Sequence, residues 1–308
     1  ANNKTINDFP YYISGLWADP SRADQINYRL DTMKSATVED MMSMQLDQTS
    51  QFAKDILPYI LETEEDKERK HVKRAFQFLK TWDFVEDVDS EAALVFNVIV
   101  KNLVFNLYGD EISLLGESYL EAFSGINYLI TRRLREDIKE GKSTWVDDVR
   151  TIDKREEIRE IIKSSVLDAI SEIDQKFGGN WSNWKWGDAH SLTHKHLFYK
   201  NKFINWLFDL SVGPYRSGGS NKTPNAGGFS LTKPYKQTAG ASMRRIVDFS
   251  NLNETRFILP TGQSGLPSSP HYRDQAELYH KGAYRKTWFS EAYIKSEKTF
   301  MHLKLIPR

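Results

Sequence analysis

The run Ile258-Leu259-Pro260-Thr261-Gly262-Gln263-Ser264-Gly265, followed closely by Ser269-Pro270-His271-Tyr272-Arg273-Asp274-Gln275, decides how this chain is read. Arg256 to Leu259 is a short candidate strand, and Pro260, Gly262 and Gly265 turn the chain immediately behind it. Gln263-Ser264-Gly265 looks like a nucleophile loop, but it does not complete the Gly-x-Ser-x-Gly elbow that exposes a strained serine. A Ser264, His271 and Asp274 triad would need three side chains converging from one short loop. The expectation is a structural turn, with His271 and Asp274 hydrogen-bonding to each other at a helix start.

Outward from this stretch the chain changes character near its middle. Five of its 17 glycines precede residue 160 and twelve follow it. The front therefore reads as helical and the back as loops and short strands, with 1–177 and 178–308 taken as parts of one structural unit. In the front, Thr37 with Glu39 and Asp40 marks a helix start. Phe52, Ile56, Leu57 and Ile60 repeat at helical spacing, and Pro58 should kink or end that helix. Glu65 to Trp82 reads as a second helix with a mixed-charge, solvated start. Ala92 to Leu107 is the most apolar run, broken by Asn97, Lys101, Asn102 and Asn106. It is too short and polar to span a bilayer, and a buried helix capped by Ser90 and ended by Gly109 is expected. Two further helices are expected over about Glu117 to Glu136 and Lys154 to Phe177, with Gly178 stopping the second. In the back, strands are expected at His190 to Leu197, Ser242 to Phe249 and Arg256 to Leu259, with one more over Thr299 to Ile306.

Composition excludes several classes of function. The 42 basic and 42 acidic residues cancel, so no global field draws nucleic acid or an anionic membrane. The chain has no cysteine, which removes disulfides, thiolate metal sites and cysteine nucleophiles. The opening Ala1-Asn2-Asn3-Lys4 is polar and lacks the apolar region of a signal peptide, which says nothing of export if the chain is a processed piece. His190, His194 and His196 would share one face of a strand and have the best metal-like spacing. A structural role for them is the stronger expectation. Sequons at Asn3, Asn180, Asn221 and Asn253 need no glycosylation to explain them in so Asn-rich a chain.

Further stretches complete a pattern. Asp8-Phe9-Pro10-Tyr11-Tyr12 and Trp17-Ala18-Asp19-Pro20-Ser21-Arg22 follow Ala1-Asn2-Asn3. Then come Met44-Gln45-Leu46-Asp47, Trp186-Gly187-Asp188-Ala189-His190, Gly218-Gly219 with Thr223, Asn225 and Ala226, and Ser242-Met243-Arg244-Arg245-Ile246-Val247-Asp248. Together with the two terminal stretches, these resemble, in order and spacing, the C-terminal part of the beta chain of the penicillin acylase family of amidases.

The resemblance implies an α+β, four-layer αββα fold of the N-terminal-nucleophile hydrolases, to which the helical front adds. It also implies hydrolysis of linear N-acyl amides by a serine that becomes the first residue of the beta chain, upstream of Ala1. Asn2 matches the asparagine whose side-chain amide donates into the oxyanion hole, and Arg22 the arginine that helps fix that asparagine and the nucleophile's surroundings. A calcium-liganding carboxylate that some members place shortly before the position of Trp17 has no clear counterpart. Calcium stays open for the complete protein, its ligands mostly outside this chain. The implied partners are the upstream remainder of the precursor (alpha chain and N-terminal part of the beta chain) and a small acyl-amide substrate. A periplasmic or extracellular location is family analogy alone. The alternative is a non-catalytic binding or assembly module that retains the acylase scaffold.

Overall fold

A helix that is apolar on every side must be wrapped by others, and α5 (Glu91–Leu114) is such a helix. In the computed structural model, which describes residues 4, 6, 8–64, 69–296 and 304–306, the other helices are α1 (Ser21–Thr32), α2 (Val38–Gln45), α3 (Gln51–Leu61), α4 (Lys70–Lys80), α6 (Glu117–Gly125), α7 (Asn127–Glu140), α8 (Ile158–Phe177), α9 (Trp186–Ala189), α10 (Lys202–Phe208), α11 (Ala276–His280) and α12 (Glu291–Ser296). The strands are β1 (Ser191–His194), β2 (Val212–Arg216), β3 (Gly227–Gly228), β4 (Ala239–Gly240), β5 (Arg244–Ile246), β6 (Thr255–Ile258) and β7 (Arg285–Thr287). The chain divides into two compact units: residues 1–34, 46–193 and 213–240, and residues 35–45, 194–212 and 241–308.

The first unit is built round α5. Ser90 caps it, its Oγ accepting from the Ala93 amide at 3.1 Å, and Leu94, Val95, Phe96, Ile99, Leu103 and Leu107 are wholly buried. Helices α4, α6, α8 and α9 pack on it, α8 most extensively. By length and composition α5 could cross a membrane, but it is mostly buried among these helices. Its polar residues are put to use. Asn97 and Asn102 donate back to the carbonyls of Ala93 and Val98 four residues earlier, and Lys101 and Asn102 both reach Glu172 on α8 at 3.0 Å.

Several boundaries differ from the sequence reading for local reasons. Gly109 does not end α5, which runs on until Gly116 takes up φ 106°, a conformation a Cβ would strain. Pro58 lies inside α3 without ending it; only the one carbonyl a turn earlier loses a donor, while five buried side chains hold the helix in place. The segment expected as one helix from Glu117 is two, broken at Ile126, and the second runs to Glu140 before Gly141 (φ 64°) closes it. Helix α8 starts later than expected, at a capping box of Glu157 and Glu160. Helix α4 begins at Lys70; the expected start at Glu65 lies outside the described residues.

The sheets are small. β1 pairs with β2, β3 with β4, and β5, β6 and β7 form an antiparallel sheet with Arg245 opposite Phe257 and Arg256 opposite Lys286. β1 stops at His194 because the chain turns, the Tyr199 amide donating to the His196 carbonyl. β5 stops at Ile246 because the Asp248 carboxylate accepts from the Ser250 amide at 2.8 Å and starts a turn. β7 was not foreseen, and the strand expected over Thr299 to Ile306 falls mostly outside the described residues. In the second unit α2 packs on β5, with Gln45 Nε2 donating to the Arg245 carbonyl at 3.0 Å.

Glu172 ties the α5–α8 seam. Burial alone would raise its pKa, but Lys176, Asn102 and Lys101 outweigh burial and hold it at about 2. Tyr235 also donates to it, at 2.8 Å. A carboxylate depressed in the folded state stabilises above its unfolded pKa and loses that contribution as pH falls. Glu172→Gln should therefore cost about 2 kcal/mol near pH 7, and the cost should shrink steadily below pH ~4. Urea denaturation of both proteins across that range is the measurement; a cost independent of pH would disprove the ionised seam.

Candidate functional site

Four of the stretches singled out in the sequence, at 17–22, 46–47, 186–190 and 218–226, lie in the first unit. Trp17-Ala18-Asp19-Pro20-Ser21-Arg22 leads into α1, whose N-cap position is Pro20. Asp19 accepts from the Ser21 amide (2.9 Å) and from Arg135 Nη2 on α7 (3.0 Å), and its own amide donates to the Tyr128 carbonyl. Arg135 also pairs with Asp55 at 3.3 Å and stacks 5.7 Å from the Phe52 ring. One turn along α1, Gln25 Nε2 donates to Asp47 Oδ2 at 2.6 Å and Arg29 pairs with the same oxygen at 3.3 Å. Burial works against the Asp47 charge, but donors from Gln25, Thr49 and Arg29 hold its pKa below the usual range. The Asp47 carbonyl accepts from the Asn225 amide at 2.8 Å, linking this end of the chain to the Gly218–Asn225 loop.

Arg22 sits half-buried on α1. Burial pushes its guanidinium below the ordinary value, yet it stays cationic at working pH. Among the described residues it has neither an ion pair nor a hydrogen bond. A partly desolvated charge without a partner is costly to keep. Asn2 lies outside the described residues. The segment between them holds a cavity of about 260 Å³ lined chiefly by Phe9, Tyr11, Tyr12, Ile13 and Trp17.

Behind the Asp47–Asn225 link lies a polar seam that sequence reasoning missed. The Glu86 amide donates to the Gln48 carbonyl, and the Glu86 carbonyl accepts from the Gly219 amide at 2.7 Å. Its side chain is fully buried, and no described group bonds either oxygen in hydrogen-bonding geometry. Burial raises its pKa against the pull of Lys222 and the nearby Ser220, Ser50 and Asn97. Lys222 is itself buried, its pKa lowered by burial and only partly restored by Glu86. It lies 5.3 Å from the Phe52 ring, a cation–π contact in place of a direct ion pair. No periodicity marks such a pair, because its partners are more than a hundred residues apart.

The three histidines do not converge. Buried His190 stacks on Trp186 with centroids 4.5 Å apart, and its Nδ1 donates to the Tyr235 carbonyl at 2.5 Å. Burial pushes its pKa down to about 4, so the ring is neutral. Trp186 in turn donates to the Gly219 carbonyl at 3.0 Å. In the second unit, His194 faces His280, Nε2 to Nε2 at 3.1 Å, and burial lowers the pKa of both. His196 accepts from the Phe198 amide. Among the described residues no group of three or more histidine or carboxylate side chains could hold a metal.

The terminal stretches clasp one another. The Ser264 amide donates to the His271 carbonyl (3.1 Å), the Gln275 amide to the Thr261 carbonyl (2.8 Å) and the Leu259 amide to Gln275 Oε1 (3.0 Å). His271 bonds Asp274 at 3.1 Å, as the spacing suggested, while Ser264 Oγ accepts from the Leu266 amide. No triad forms.

A family model for penicillin amidase matches residues 1–296. The chain belongs to the penicillin amidase family. It is 27% identical over 305 residues to acyl-homoserine lactone acylase QuiP of Pseudomonas syringae pv. tomato, covering 92% of this chain and 36% of that protein. It is 25% identical over 276 residues to the penicillin acylase 2 proenzyme of a Pseudomonas species, covering 89% and 34%. The chain thus spans about a third of the length of these curated relatives. The crystal structure of a thermostable penicillin G acylase from Alcaligenes faecalis matches all of this chain and 56% of that one, with a TM-score of 0.54 at 15% identity. That likeness shows the fold, that of the N-terminal-nucleophile hydrolases.

The clasp gives a direct test of how this penicillin amidase chain uses its terminal signature. A Cβ added at Gly262 would stand 2.1 Å from the His271 carbonyl oxygen. Gly262→Ala should destabilise the protein by about 2 kcal/mol or more through forced backbone movement, whereas Ser264→Ala should cost no more than about 1 kcal/mol for one exposed hydrogen bond. Chemical denaturation of the two variants decides it; equal costs would mean the loop is not the rigid clasp described.

Proposed function

We propose that this chain is the C-terminal part of the beta chain of an amidohydrolase that releases a carboxylic acid from a linear N-acyl amide. The reading rests on the family match along residues 1–296, and the observation that carries it to a site is Arg22, a half-buried cation on a tightly held helix start with no partner among the described residues. An uncompensated charge there suits chemistry in which negative charge develops nearby.

The nucleophile is a serine at the amino terminus of the beta chain, upstream of Ala1. Its α-amine, with a pKa of about 7.7–8.0, takes the hydroxyl proton, and the oxygen attacks the amide carbonyl carbon. The carbonyl π pair moves to oxygen, giving a tetrahedral oxyanion to which the Asn2 side-chain amide donates. Collapse breaks the C–N bond, the proton passes to the leaving amine, and an ester to serine remains. Water, deprotonated by the same α-amine, hydrolyses that ester to the acid and free serine. Arg22 holds Asn2 and the surroundings of the nucleophile in place. The relatives are named for acyl-homoserine lactones and for penicillins, and both kinds of molecule join an acyl group to a ring-bearing amine through a linear amide. The aromatic-lined cavity of residues 4–17 would receive an apolar portion of such a substrate.

The test is hydrolysis of a chromogenic phenylacetyl amide, with a panel of longer acyl chains, by this chain alone and by the chain joined to its natural upstream sequence. The isolated chain should be silent and the completed protein active. In the completed protein, Asn2→Ala should lower kcat by about 10²–10³ with folding intact, and Arg22→Ala should lower kcat while leaving KM within a few-fold. Turnover by the isolated chain that Ser264→Ala abolishes would overturn the reading. A folded completed protein inactive on every acyl amide would favour a binding module.

A further inference from the structure

In the second unit the segment 194–212 is fastened to the stretch 272–280 at both of its ends, by different chemistries. At its exit Arg273 donates to Asp209 at 2.6 Å, and Tyr272 donates to the Leu210 carbonyl. At its entry His194, the last residue of β1, faces His280, the last residue of α11, with Nε2 3.1 Å from Nε2. Between the fastenings lies α10, none of whose residues is buried, and Leu197, Phe198, Phe203, Trp206, Leu207 and Phe208 are each more than half exposed. A segment with so little packing of its own opens locally unless its ends are held.

The two rings are arranged to share a proton, not to hold a metal. Their centroids lie 5.4 Å apart, close to the largest separation that a 3.1 Å Nε2–Nε2 contact allows, so the two nitrogen axes meet head-on. A metal held about 2.0–2.1 Å from both nitrogens would need those axes to converge on a third point. Head-on, one ring donates its Nε2–H, and the other accepts on a bare Nε2 and carries its hydrogen on Nδ1. A first added proton, taken by Nδ1 of the donor ring, leaves that bond in place. A second must go to the accepting Nε2, and two N–H groups of like charge then face one another.

The surroundings oppose that second charge. The Tyr279 ring stands edge-on to His194, and Arg244 of β5 lies 4.0 Å from the centre of the Tyr279 ring and donates to the Tyr279 carbonyl at 2.9 Å. Of the flanking groups, Lys195 lies 5.1 Å from the Tyr199 ring, His196 is turned to the Phe198 amide, and Lys281 pairs with Glu277 at 2.7 Å. Burial lowers the pKa of both rings, and His194 and Arg244 help to push His280 down to about 4.

We propose that His194 and His280 form an acid-operated clasp, which holds 194–208 to α11 while one proton lies between the rings and releases it when both are charged. A ring in the opened segment takes up a proton at about pH 6.5, whereas closed His280 resists it down to about 4. Between those values the open form binds more protons than the closed one, so the clasp weakens as pH falls through that interval. The exit bonds contain no imidazole, so release begins at the entry.

Histidine Cε1–H exchange and backbone amide exchange, both read by mass spectrometry on the complete, unsubstituted protein, test the clasp. His280 should reach half-charge only below about pH 5. Amide protection over 194–201, corrected for the intrinsic rate, should fall at least about tenfold from pH ~7 to pH ~5, while that of 209–212 holds. The Gln side chain of His280→Gln can bond His194 Nε2 in either protonation state, so in that variant the fall should be about threefold or less. His194→Gln is the reciprocal variant and should behave alike. Constant protection across the range in the unsubstituted protein would overturn the proposal, whatever the variants do. So would a fall of equal size in His280→Gln, which would place the acid-sensitive group elsewhere. Zinc added at neutral pH that shields both rings together would overturn it too, since a chelate needs the converging axes that a shared proton does not. Neither readout involves amide hydrolysis, so the clasp and the amidase reading fail separately.

Discussion

The first unit depends on one constraint: a 24-residue helix that is apolar all round must be enclosed. The helices around α5 do not merely happen to lie there; without them its exposed surface would be insupportable in water. Enclosure creates a second demand, because the helix carries four polar side chains inside its run. Asn97 and Asn102 meet it by donating to their own helix, Lys101 and Asn102 also reach Glu172, and Asn106 donates to Ser165 and Asp168 on α8. The polar residues that argue against a membrane span in the sequence are thus the ones that fix the register of α5 on α8.

The same logic explains how the quoted stretches meet. Arg135 draws the Asp19 turn onto α7, Asp47 collects Gln25 and Arg29, and the Asp47 carbonyl receives the Asn225 loop. Beneath them Glu86 and Lys222 are buried without a direct ion pair. Such an arrangement contributes little to stability, because desolvation opposes what attraction remains. The Glu86 carbonyl does hold the Gly219 amide, and the Gly219 carbonyl accepts from Trp186, so that the Trp186–His190 stack and the loop share one support.

Legibility in the sequence followed the range of each interaction. Caps and helical stripes are local, so Ser90, Thr37 and Gly178 marked their boundaries correctly, and β6 fell within a residue of its expected place. Gly109 and Pro58 misled because burial on either side outweighed a local penalty of about 1 kcal/mol for glycine and one lost hydrogen bond for proline. The long expected helix from Glu117 broke at Ile126, where no proline marked the break. Arg135 with Asp19, Glu86 with Lys222 and His194 with His280 are separated by 86 residues or more along the chain. No spacing rule reaches that far, and of these six residues the family pattern quoted only Asp19.

Two features of the chain violate rules that its core obeys. Arg22 is a partly buried charge with no counterion among the described residues, and 197–208 is an ordered apolar surface with no cover among them. In an enclosed fold either would be a defect of about a kcal/mol or more. Among the described residues the sheets are also small, with two, two and three strands where a four-layer sandwich needs larger ones. Each would be relieved by contact with complementary groups: negative charge beside Arg22 and an apolar surface round α10. The parts of this structure that look least stable are therefore the parts that say most about what it works with.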